Sequence, residues 1–397
     1  MSAIFLQLFL AALLVLLHTA SAGSKTCYDV GIQVSVQTKV AKLPRHITKD
    51  SLSNFLGKTY ANIINIPIKG TYTIRGTHCK STVKSKNNNR LQFLVHGILS
   101  SRHNWSGEDS DGQKPYHGSN YSYVDYVTQR GYDTLAIDRL GSGQSDKPDP
   151  VLNVQLPAEI ETTKSVLDKI KQGRLGKTYQ NIIYVGQSYG SILGHGFAVK
   201  YPNVVNAIIL NGWSNAATKS AIPTFTNLNF LPARDVNRTR FGSLPPGYLA
   251  SSTPSGFQKM DYYHGDNNSH YDQGLARRQE SSLGTVTVGE LYTSSLNTVP
   301  ASRSRDMCCS LPMSTTTGSA HATMSSLTGT VAGGPAASLP RRMLHSRTLT
   351  FLTTLCPIQV MSFSFTIRSK TRMAGRSPGS KRCCERLTFV ESSHGLP

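Results

Sequence analysis

Residues 179–201 have the sequence YQNIIYVGQSYGSILGHGFAVKY, and this stretch decides the fold. Its first part is a short apolar run, typical of a strand buried on both faces. Its second part has helical character and follows directly on the motif Gly186-Gln187-Ser188-Tyr189-Gly190. A strand that passes at once into a helix needs a tight turn, and the two glycines give room where the backbones come close. The stretch therefore predicts a serine hydroxyl raised above the edge of a sheet.

Apolar runs on both sides of this stretch repeat the pattern. We predict strands at Leu91–Val95, Thr134–Ile137, Ile182–Val185 and Ala207–Leu210, preceded by an antiparallel pair at residues 61–66 and 70–78. Pro157–Lys171 has helical spacing, and Gly173 follows it as a stop signal. Alternating strands and helices predict an α/β fold, here a doubly wound and mostly parallel sheet with helices packed on it.

Two further segments accompany the serine motif. Phe93-Leu94-Val95-His96-Gly97-Ile98 is a strand that ends in a His-Gly turn, and Ala136-Ile137-Asp138-Arg139-Leu140-Gly141-Ser142-Gly143-Gln144-Ser145 contains the pattern D-x-x-G-x-G-x-S. With them the sequence resembles the α/β-hydrolase superfamily, particularly its secreted fungal branch with a capped core. In that superfamily, a serine at the centre of the turn implies hydrolysis of ester, amide or peptide bonds, whereas an aspartate there implies epoxide or haloalkane hydrolysis.

The resemblance assigns roles to residues of this chain. Ser188 is the expected nucleophile, and the backbone N–H groups of Ile98 and Tyr189 are the expected donors to the oxyanion. Gly186 and Gly190 shape the turn at the serine, while His96 and Gly97 shape the turn beside it. The helix behind Ser188 adds N–H groups and a positive dipole where negative charge would form.

The chain divides into four predicted segments. Residues 1–22 are a signal peptide, because the apolar run IFLQLFLAALLVLL at 4–17 ends at the small residues Ala20-Ser21-Ala22. Residues 23–212 form the core, 213–300 a cap with a return segment, and 301–397 a tail. Secretion follows, with no membrane span left after cleavage. The absence of Lys and Arg before the apolar run leaves a membrane anchor as the alternative.

Cysteines and sequons agree with a secretory route. Of seven cysteines only Cys27 and Cys79 precede residue 301, and in an oxidising compartment we predict a disulfide between them rather than a metal site. The five cysteines of the tail lack the spacing of a zinc site. N-x-S/T sequons, candidate glycosylation sites, occur at Asn104, Asn120, Asn237 and Asn267.

Composition excludes several classes of protein. A hydrophobic fraction of 38% does not fit a multi-pass membrane protein. The net charge of +20 is unevenly spread, with 12 basic and 3 acidic residues after residue 300, and no basic stripe interleaved with aromatic residues accompanies it. Nucleic acid is therefore not an expected partner. Gly141 and Gly143 give only a fragment of a nucleotide fingerprint, so neither a cofactor nor a metal is expected.

The tail does not match the rest of the chain. Residues 301–397 contain no Tyr, Asn or Trp, and 29 of the 97 residues are Ser or Thr. They show no alternation of strand and helix patterns, and we predict that they are disordered. A glycosylated Ser/Thr-rich stalk has such a composition, but scattered Cys, Met and Leu do not suit one.

The genetic code offers another explanation for the tail. Read two bases later in each codon, residues 359–367 (QVMSFSFTI) permit GHEFLFHYS, which is similar to the family's catalytic-histidine segment. Residues 313–320 (MSTTTGSA) permit EYDYGFC, which is similar to its acid-bearing turn. We therefore hypothesise a frame shift near residue 300 that removes the acid, the histidine and the last two core strands. The strand near Leu210 would then lie at an open sheet edge.

Different classes of function stay open. The first hypothesis is a secreted serine hydrolase that acts on ester or amide bonds of a small-molecule or peptide substrate. The second is a catalytically inactive hydrolase fold that serves as a binding or surface protein, or a non-functional product. A cationic cell-wall protein with a glycosylated tail is the third. We do not expect His96 or His195 to act as the base, and we expect His264 and His270 to be solvated residues of the cap.

Overall fold

The structure, a computed structural model, describes residues 25–44, 64–108, 112, 114–212, 228–253 and 272–294, and the backbone of three strands between residues 307 and 369. The chain divides into two units, Met1–Thr315 and Thr316–Pro397. The predicted signal peptide at 1–22, the sequon at Asn267, and residues 213–227 and 254–271 of the predicted cap lie outside the described residues.

The described strands of the first unit are β1 (Thr26–Ala41), β2 (Asn65–Lys80), β3 (Arg90–Val95), β4 (Asp133–Ile137), β5 (Asn181–Gln187), β6 (Ala207–Asn211), β7 (Phe230–Pro232), β8 (Tyr248–Ser251), β9 (Val286–Thr287) and β10 (Met307–Leu311). Its described helices are α1 (Tyr123–Thr128), α2 (Leu156–Lys171), α3 (Tyr189–Lys200), α4 (Ala233–Val236), α5 (Arg238–Phe241), α6 (Gln273–Ser281) and α7 (Val288–Ser294), with a 3₁₀ turn at Arg102–Ser106. Among these helices none combines the length and apolar character that crossing a bilayer requires.

The main sheet has seven strands in the order β1-β2-β4-β3-β5-β6-β10. The strands β1, β2 and β4 pair antiparallel, and every pair from β4 to β10 is parallel. Strands β3 and β4 are almost wholly buried, which is why their sequences, RLQFLV and DTLAI, are mostly apolar and do not alternate strictly between apolar and polar residues. The predicted α/β fold with a mostly parallel sheet is confirmed.

The antiparallel part of the sheet differs from the prediction. Residues 65–66 and 70–78 do not pair with each other, because residues 65–80 form the single strand β2, which pairs along its whole length with β1. Residues 61–63 of the first predicted strand lie outside the described residues. Gly70 lies within this strand rather than in a turn. A Cβ on Gly70 would lie 2.3 Å from the Tyr72 hydroxyl, so the glycine makes room for the Tyr72 ring on the same face of the strand.

The first two strands carry the predicted disulfide. Cys27 and Cys79 lie opposite each other in the β1–β2 register, with their Cα atoms 4.0 Å apart, and their sulfur atoms are bonded. The bond closes a loop across a sequence separation of 52 residues. Since such closure restricts the unfolded chain, it stabilises the outer part of the sheet.

The sheet continues past the strand at Ala207–Asn211. Residues 307–311 form β10, which pairs parallel with β6, and this corrects the expectation that the strand near Leu210 is the sheet edge. The sequence of β10, MCCSL, is a short apolar run within a Ser/Thr-rich segment, and average composition conceals it. In the second unit, β11 (His345–Thr353) and β12 (Met361–Ser369) form an antiparallel pair. The rest of the tail lies outside the described residues, and its disorder stays a prediction.

Candidate active site

Three loops leave the carboxyl ends of neighbouring parallel strands at one edge of the sheet. The turn at His96–Ile98 follows β3, the loop at 138–145 follows β4, and Ser188 follows β5. In sheets of this kind, ligands bind outside the carboxyl ends of the strands. Sheet order alone therefore brings together three segments that are far apart in the sequence.

Ser188 occupies a strained turn between β5 and α3. Its backbone has φ 52° and ψ −116°, a conformation that residues other than glycine rarely adopt. The strain is held from both sides: the Ser188 N–H donates to the Asn211 carbonyl at 2.8 Å, and the Ser188 carbonyl accepts from the Ser191 N–H at 2.8 Å. The serine is thus neither a strand residue nor a regular helical residue.

The two glycines of the motif are required by close backbone approach. A Cβ on Gly186 would lie 2.4 Å from the Gly190 carbonyl oxygen, and a Cβ on Gly190 would lie 2.2 Å from the Val95 carbonyl oxygen. Both distances are far inside van der Waals contact, so no larger residue fits without movement of the main chain. Gly190 therefore lets the start of α3 press against the end of β3.

The turn after β3 lies against the serine. A Cβ on Gly97 would lie 3.0 Å from the Cβ of Ser188, and the Gly97 N–H donates to the Gln187 side-chain oxygen at 3.0 Å. Leu99, two residues further, also has a positive φ of 56°. The structure thus brings Ser188 and the His96–Ile98 turn together, as the sequence led us to expect.

The two residues assigned to the oxyanion flank the serine. Ile98 follows Gly97 in the turn, and Tyr189 is the first residue of α3, directly after Ser188. Both side chains are buried. The first N–H groups of a helix have no acceptor within that helix and lie at its positive end, so the Tyr189 N–H suits a developing negative charge.

His96 is fully engaged in holding its turn. Its Nδ1 donates to the Gly97 carbonyl at 2.7 Å, and its Nε2 accepts from the Arg139 N–H at 3.2 Å. Burial, together with the nearby positive charge of Arg139, lowers the pKa of His96 to about 3. A histidine with both nitrogens occupied and no tendency to take up a proton is a structural residue and not a general base.

Other described histidines also have partners away from Ser188. The ring nitrogens of His78 lie 2.5 Å from the Tyr28 hydroxyl and 2.8 Å from the Tyr179 hydroxyl, and Nδ1 of His103 lies 2.7 Å from the Glu108 carboxylate. His195 is seven positions after Ser188 on α3, about 10 Å along the helix axis. His264 and His270 lie outside the described residues.

The loop after β4 is held by a buried carboxylate. Asp138 accepts from the Arg102 N–H at 2.8 Å and from the Gln144 N–H at 2.9 Å, and it forms an ion pair with the Arg102 guanidinium. A Cβ on Gly143 would collide with the Asp138 carboxyl group at 2.2 Å. The D-x-x-G-x-G-x-S pattern therefore encodes a loop folded around its own aspartate.

Within the described residues, no group of three or more His, Cys, Asp or Glu is arranged to hold a metal ion.

A cluster of buried charges beside the site has no counterpart in the sequence analysis. Arg139 forms ion pairs with Glu159 on α2, at 2.6 Å, and with Glu290 on α7, and all three side chains are almost completely buried. The Tyr189 hydroxyl donates to Glu159 at 2.6 Å. The one available signal was an acidic residue on the apolar face of the predicted helix, directly before Ile160.

Part of the predicted cap segment contacts the site. The short strands β7, β8 and β9 form a separate antiparallel sheet, in which Tyr248 and Ala250 are buried. The Gly284 N–H donates to the Leu99 carbonyl at 2.9 Å, next to the His96–Ile98 turn. Residues 284–294 then enter the core, where the Thr293 hydroxyl accepts from the Leu156 N–H at 2.8 Å. This return segment is as much core as cap.

Comparisons with known proteins agree with this geometry. Residues 93–248 match the sequence model of the alpha/beta hydrolase fold family. The comparison with curated proteins gives no match.

Similar solved structures include a probable hydrolytic enzyme of Pseudomonas aeruginosa, with 17% identity and a TM-score of 0.33 over 57% of this chain and 60% of that protein. An epoxide hydrolase of Vigna radiata has 13% identity and a TM-score of 0.35 over 57% of this chain and 68% of its own. A carboxylesterase structure of Nitrososphaera gargenis has 13% identity and a TM-score of 0.37 over the same shares. The chain thus spans 60% of the length of the Pseudomonas protein. The match of residues 93–248 to the family model, the sheet order and the strained turn at Ser188 together identify an α/β-hydrolase fold.

Proposed function

We propose that the protein is a serine hydrolase that cleaves ester or amide bonds with Ser188 as its nucleophile. The observation that carries the proposal is the backbone of Ser188, held at φ 52° and ψ −116° against the Gly97 turn. Strain of this kind persists only where the surrounding structure enforces it, and it clusters at functional sites. Ser188 directly precedes Tyr189 and lies against the turn that carries Ile98, and the N–H groups of Ile98 and Tyr189 are the proposed oxyanion donors.

The proposed reaction follows from these positions. The Ser188 oxygen attacks the substrate carbonyl carbon, and the carbonyl oxygen becomes an alkoxide that accepts from the two N–H groups. The bond to the alcohol or amine then breaks, the serine proton passes to that leaving group, and an acyl-serine remains. Water hydrolyses the acyl group and restores the hydroxyl. Small-molecule esters, amides and peptides are the substrate class.

A serine hydroxyl needs an imidazole to take its proton, and a carboxylate to orient that imidazole. The partners of His78, His96 and His103 speak against these histidines in that role. We propose that the acid and the histidine were lost when the reading frame shifted near residue 300. Sequencing the transcript across the codons for residues 290–320 tests this, because an intact message in the present frame contradicts it.

The same contacts favour a second candidate function for this particular chain. A hydrolase fold without its imidazole keeps only the enhancement from binding and the oxyanion hole, about 10³–10⁴ over water. Such a chain is a binding or surface protein, or a non-functional product.

We further propose that the protein is secreted. The apolar segment at 4–17 and the Cys27–Cys79 disulfide support this proposal.

A fluorophosphonate probe separates the candidates. The probe forms a bond from its phosphorus to the serine oxygen and releases fluoride, and it reacts with activated serines. The first candidate predicts labelling of the wild-type chain that disappears in Ser188→Ala and persists in Ser281→Ala, which changes an exposed serine of α6. A folded chain that is never labelled supports the inactive alternative instead.

A further inference from the structure

The buried charges beside the site connect three distant elements. Arg139 comes from the loop after β4, Glu159 from α2 and Glu290 from α7, and their side chains are 1–2% exposed. Buried charges are costly unless they are paired and hydrogen-bonded. The contacts of Arg139 show how its five donor N–H positions are used.

Arg139 donates hydrogen bonds to the backbone of the turn that carries Ile98. Its Nε donates to the His96 carbonyl at 3.1 Å, and its Nη2 donates to the Gly97 carbonyl at 3.2 Å. The Gly97 carbonyl and the Ile98 N–H belong to one planar trans peptide unit, so they point in opposite directions. Because the Gly97 carbonyl points towards Arg139, the Ile98 N–H must point away from Arg139.

The same cluster holds Tyr189. The Arg139 guanidinium carbon lies 4.4 Å from the centre of the Tyr189 ring, and the Tyr189 hydroxyl donates to Glu159 at 2.6 Å. Tyr189 begins α3, and its side chain is thus anchored at both the ring and the hydroxyl. One guanidinium thus contacts the Gly97 carbonyl, which shares a peptide group with the Ile98 N–H, and the ring of Tyr189.

The cluster contains two carboxylates for one guanidinium. Glu290 has further support, because its Oε2 accepts from the Thr287 N–H at 2.6 Å. Burial raises the pKa of Glu159, and the negative charge of Glu290 adds to that rise. Each carboxylate thus has a separate anchor, Tyr189 for Glu159 and Thr287 for Glu290, which keeps the guanidinium centred between them.

We propose that Arg139, held by Glu159 and Glu290, is a positioning residue that sets the directions of the Ile98 and Tyr189 N–H groups. This inference rests on the proposed function, since it gives those N–H groups their purpose. Arg139 itself touches the backbone of the turn and not the reacting atoms. Its effect should therefore appear in the bond-forming step and not in the initial binding of a probe.

Arg139→Lys is the test variant, because lysine keeps the charge between the carboxylates but lacks the planar fork that reaches both carbonyls. Saturation kinetics with the fluorophosphonate separate its binding constant from the rate constant of phosphonylation. We expect that rate constant to fall by about ten- to hundredfold, with binding changed by less than about twofold. Tyr189→Phe, which removes only the hydroxyl bond to Glu159, should cause a smaller fall in the same constant.

Matched controls exist on the same two helices. Glu161 on α2 accepts a hydrogen bond from the Tyr201 hydroxyl at 2.8 Å and forms an ion pair with Lys200. Lys200 and Tyr201 lie at the end of α3 that is opposite to Ser188. Glu161→Gln removes the ion pair with Lys200, and Tyr201→Phe removes the hydrogen bond of the hydroxyl, and we expect both variants to label as the wild type does.

Amide hydrogen exchange tests the positioning without any reaction. Arg139→Lys should accelerate exchange in the peptides that contain residues 96–98 and 188–190, and leave exchange in β2 unchanged. Unchanged exchange in those peptides, or a lowered binding constant with an unaltered phosphonylation rate, overturns the proposal. If the wild-type chain is not labelled at all, the proposed function fails, and the exchange result alone decides the positioning role.

Discussion

The side-chain oxygen of Gln187 accepts a hydrogen bond of 3.0 Å from the backbone N–H of Gly97. Gln187 directly precedes Ser188, and Gly97 directly precedes Ile98. This one bond therefore joins the loop that bears the proposed nucleophile to the loop that bears a proposed oxyanion donor. The spacing of the two loops depends on this side chain as well as on the β3–β5 pairing.

Gln187→Met should loosen that connection. Methionine is close in size but has no strong acceptor for the Gly97 N–H, and we expect a loss of about 1 kcal/mol in the free energy of unfolding. The rate of fluorophosphonate labelling should fall about tenfold, because N–H groups that are out of place stabilise the developing negative charge less. Gln129→Met, at an exposed position after α1, is the control. An unchanged labelling rate in Gln187→Met would show that the sheet alone sets the spacing.

Gly190→Ala should disrupt the turn at Ser188. The new methyl group would lie 2.2 Å from the Val95 carbonyl oxygen, so α3 must move away from β3. We expect at least about 2 kcal/mol of destabilisation by urea unfolding and loss of labelling, in line with other overpacked sites. Gly284→Ala is the matched control, because its nearest neighbour would lie at 3.6 Å. Equal stability of the two variants would contradict the steric account.

The central sheet could be predicted because each strand carries its own local signal. Leu91–Val95 and Ile182–Val185 are largely buried on both faces, and burial on both faces favours runs that are mostly apolar. The turn at Ser188 was predictable for the same reason, since Gly186 and Gly190 are needed by local backbone contacts. The predicted helix at 157–171 is confirmed as α2, which begins one residue earlier.

Features set by distant contacts were not predictable. The predicted pair at 61–66 and 70–78 implied a turn between them, but whether the chain turns there or Gly70 continues a strand and makes room for Tyr72 depends on the pairing with β1, which is remote in the sequence. Arg139 and Glu290 are separated by 151 residues, and neither is unusual in its local sequence. Their pairing depends on how α7 packs against the core, and no periodicity encodes that.

Acid should weaken the fold through His78. Burial lowers the pKa of His78 to about 4. The negative charge of Asp133 opposes this shift, whereas the positive charges of Lys80 and Lys177 add to it. Between about pH 4 and the ordinary pKa of 6.5, the unfolded chain binds a proton that the folded chain does not. The free energy of unfolding therefore falls as the pH falls through this window.

His78→Gln removes this titration while the amide can still contact the Tyr28 and Tyr179 hydroxyls. Relative to the wild type, its stability should become less dependent on pH between 4 and 6.5, by up to about 1.4 kcal/mol per pH unit. His96 is present in both chains, so its own contribution cancels in the comparison. Urea unfolding at several pH values measures the difference. Parallel pH profiles would contradict the lowered pKa of His78, because they would mean that this residue takes up its proton equally in the folded and unfolded chains.

If the chain is secreted, the sequons should differ in how often they carry a glycan. Asn120 is exposed. Asn104 is half-buried, and its side-chain oxygen accepts from the Ser101 N–H at 3.3 Å, a contact that a glycan would disturb. We expect higher occupancy at Asn120 than at Asn104, measured by glycopeptide mass spectrometry on material from a eukaryotic secretory host. The reverse order of occupancy contradicts the expectation.

The most direct test of the central claim is to trap the acyl-enzyme. The chain is mixed with p-nitrophenyl acetate, quenched in acid and digested, and the modified peptide is identified by mass spectrometry. A nucleophilic Ser188 predicts one acetyl group on this residue, formed with a matching burst of p-nitrophenol and absent from Ser188→Ala. Acetylation confined to lysines or tyrosines, equal in wild type and Ser188→Ala, would contradict a nucleophilic Ser188.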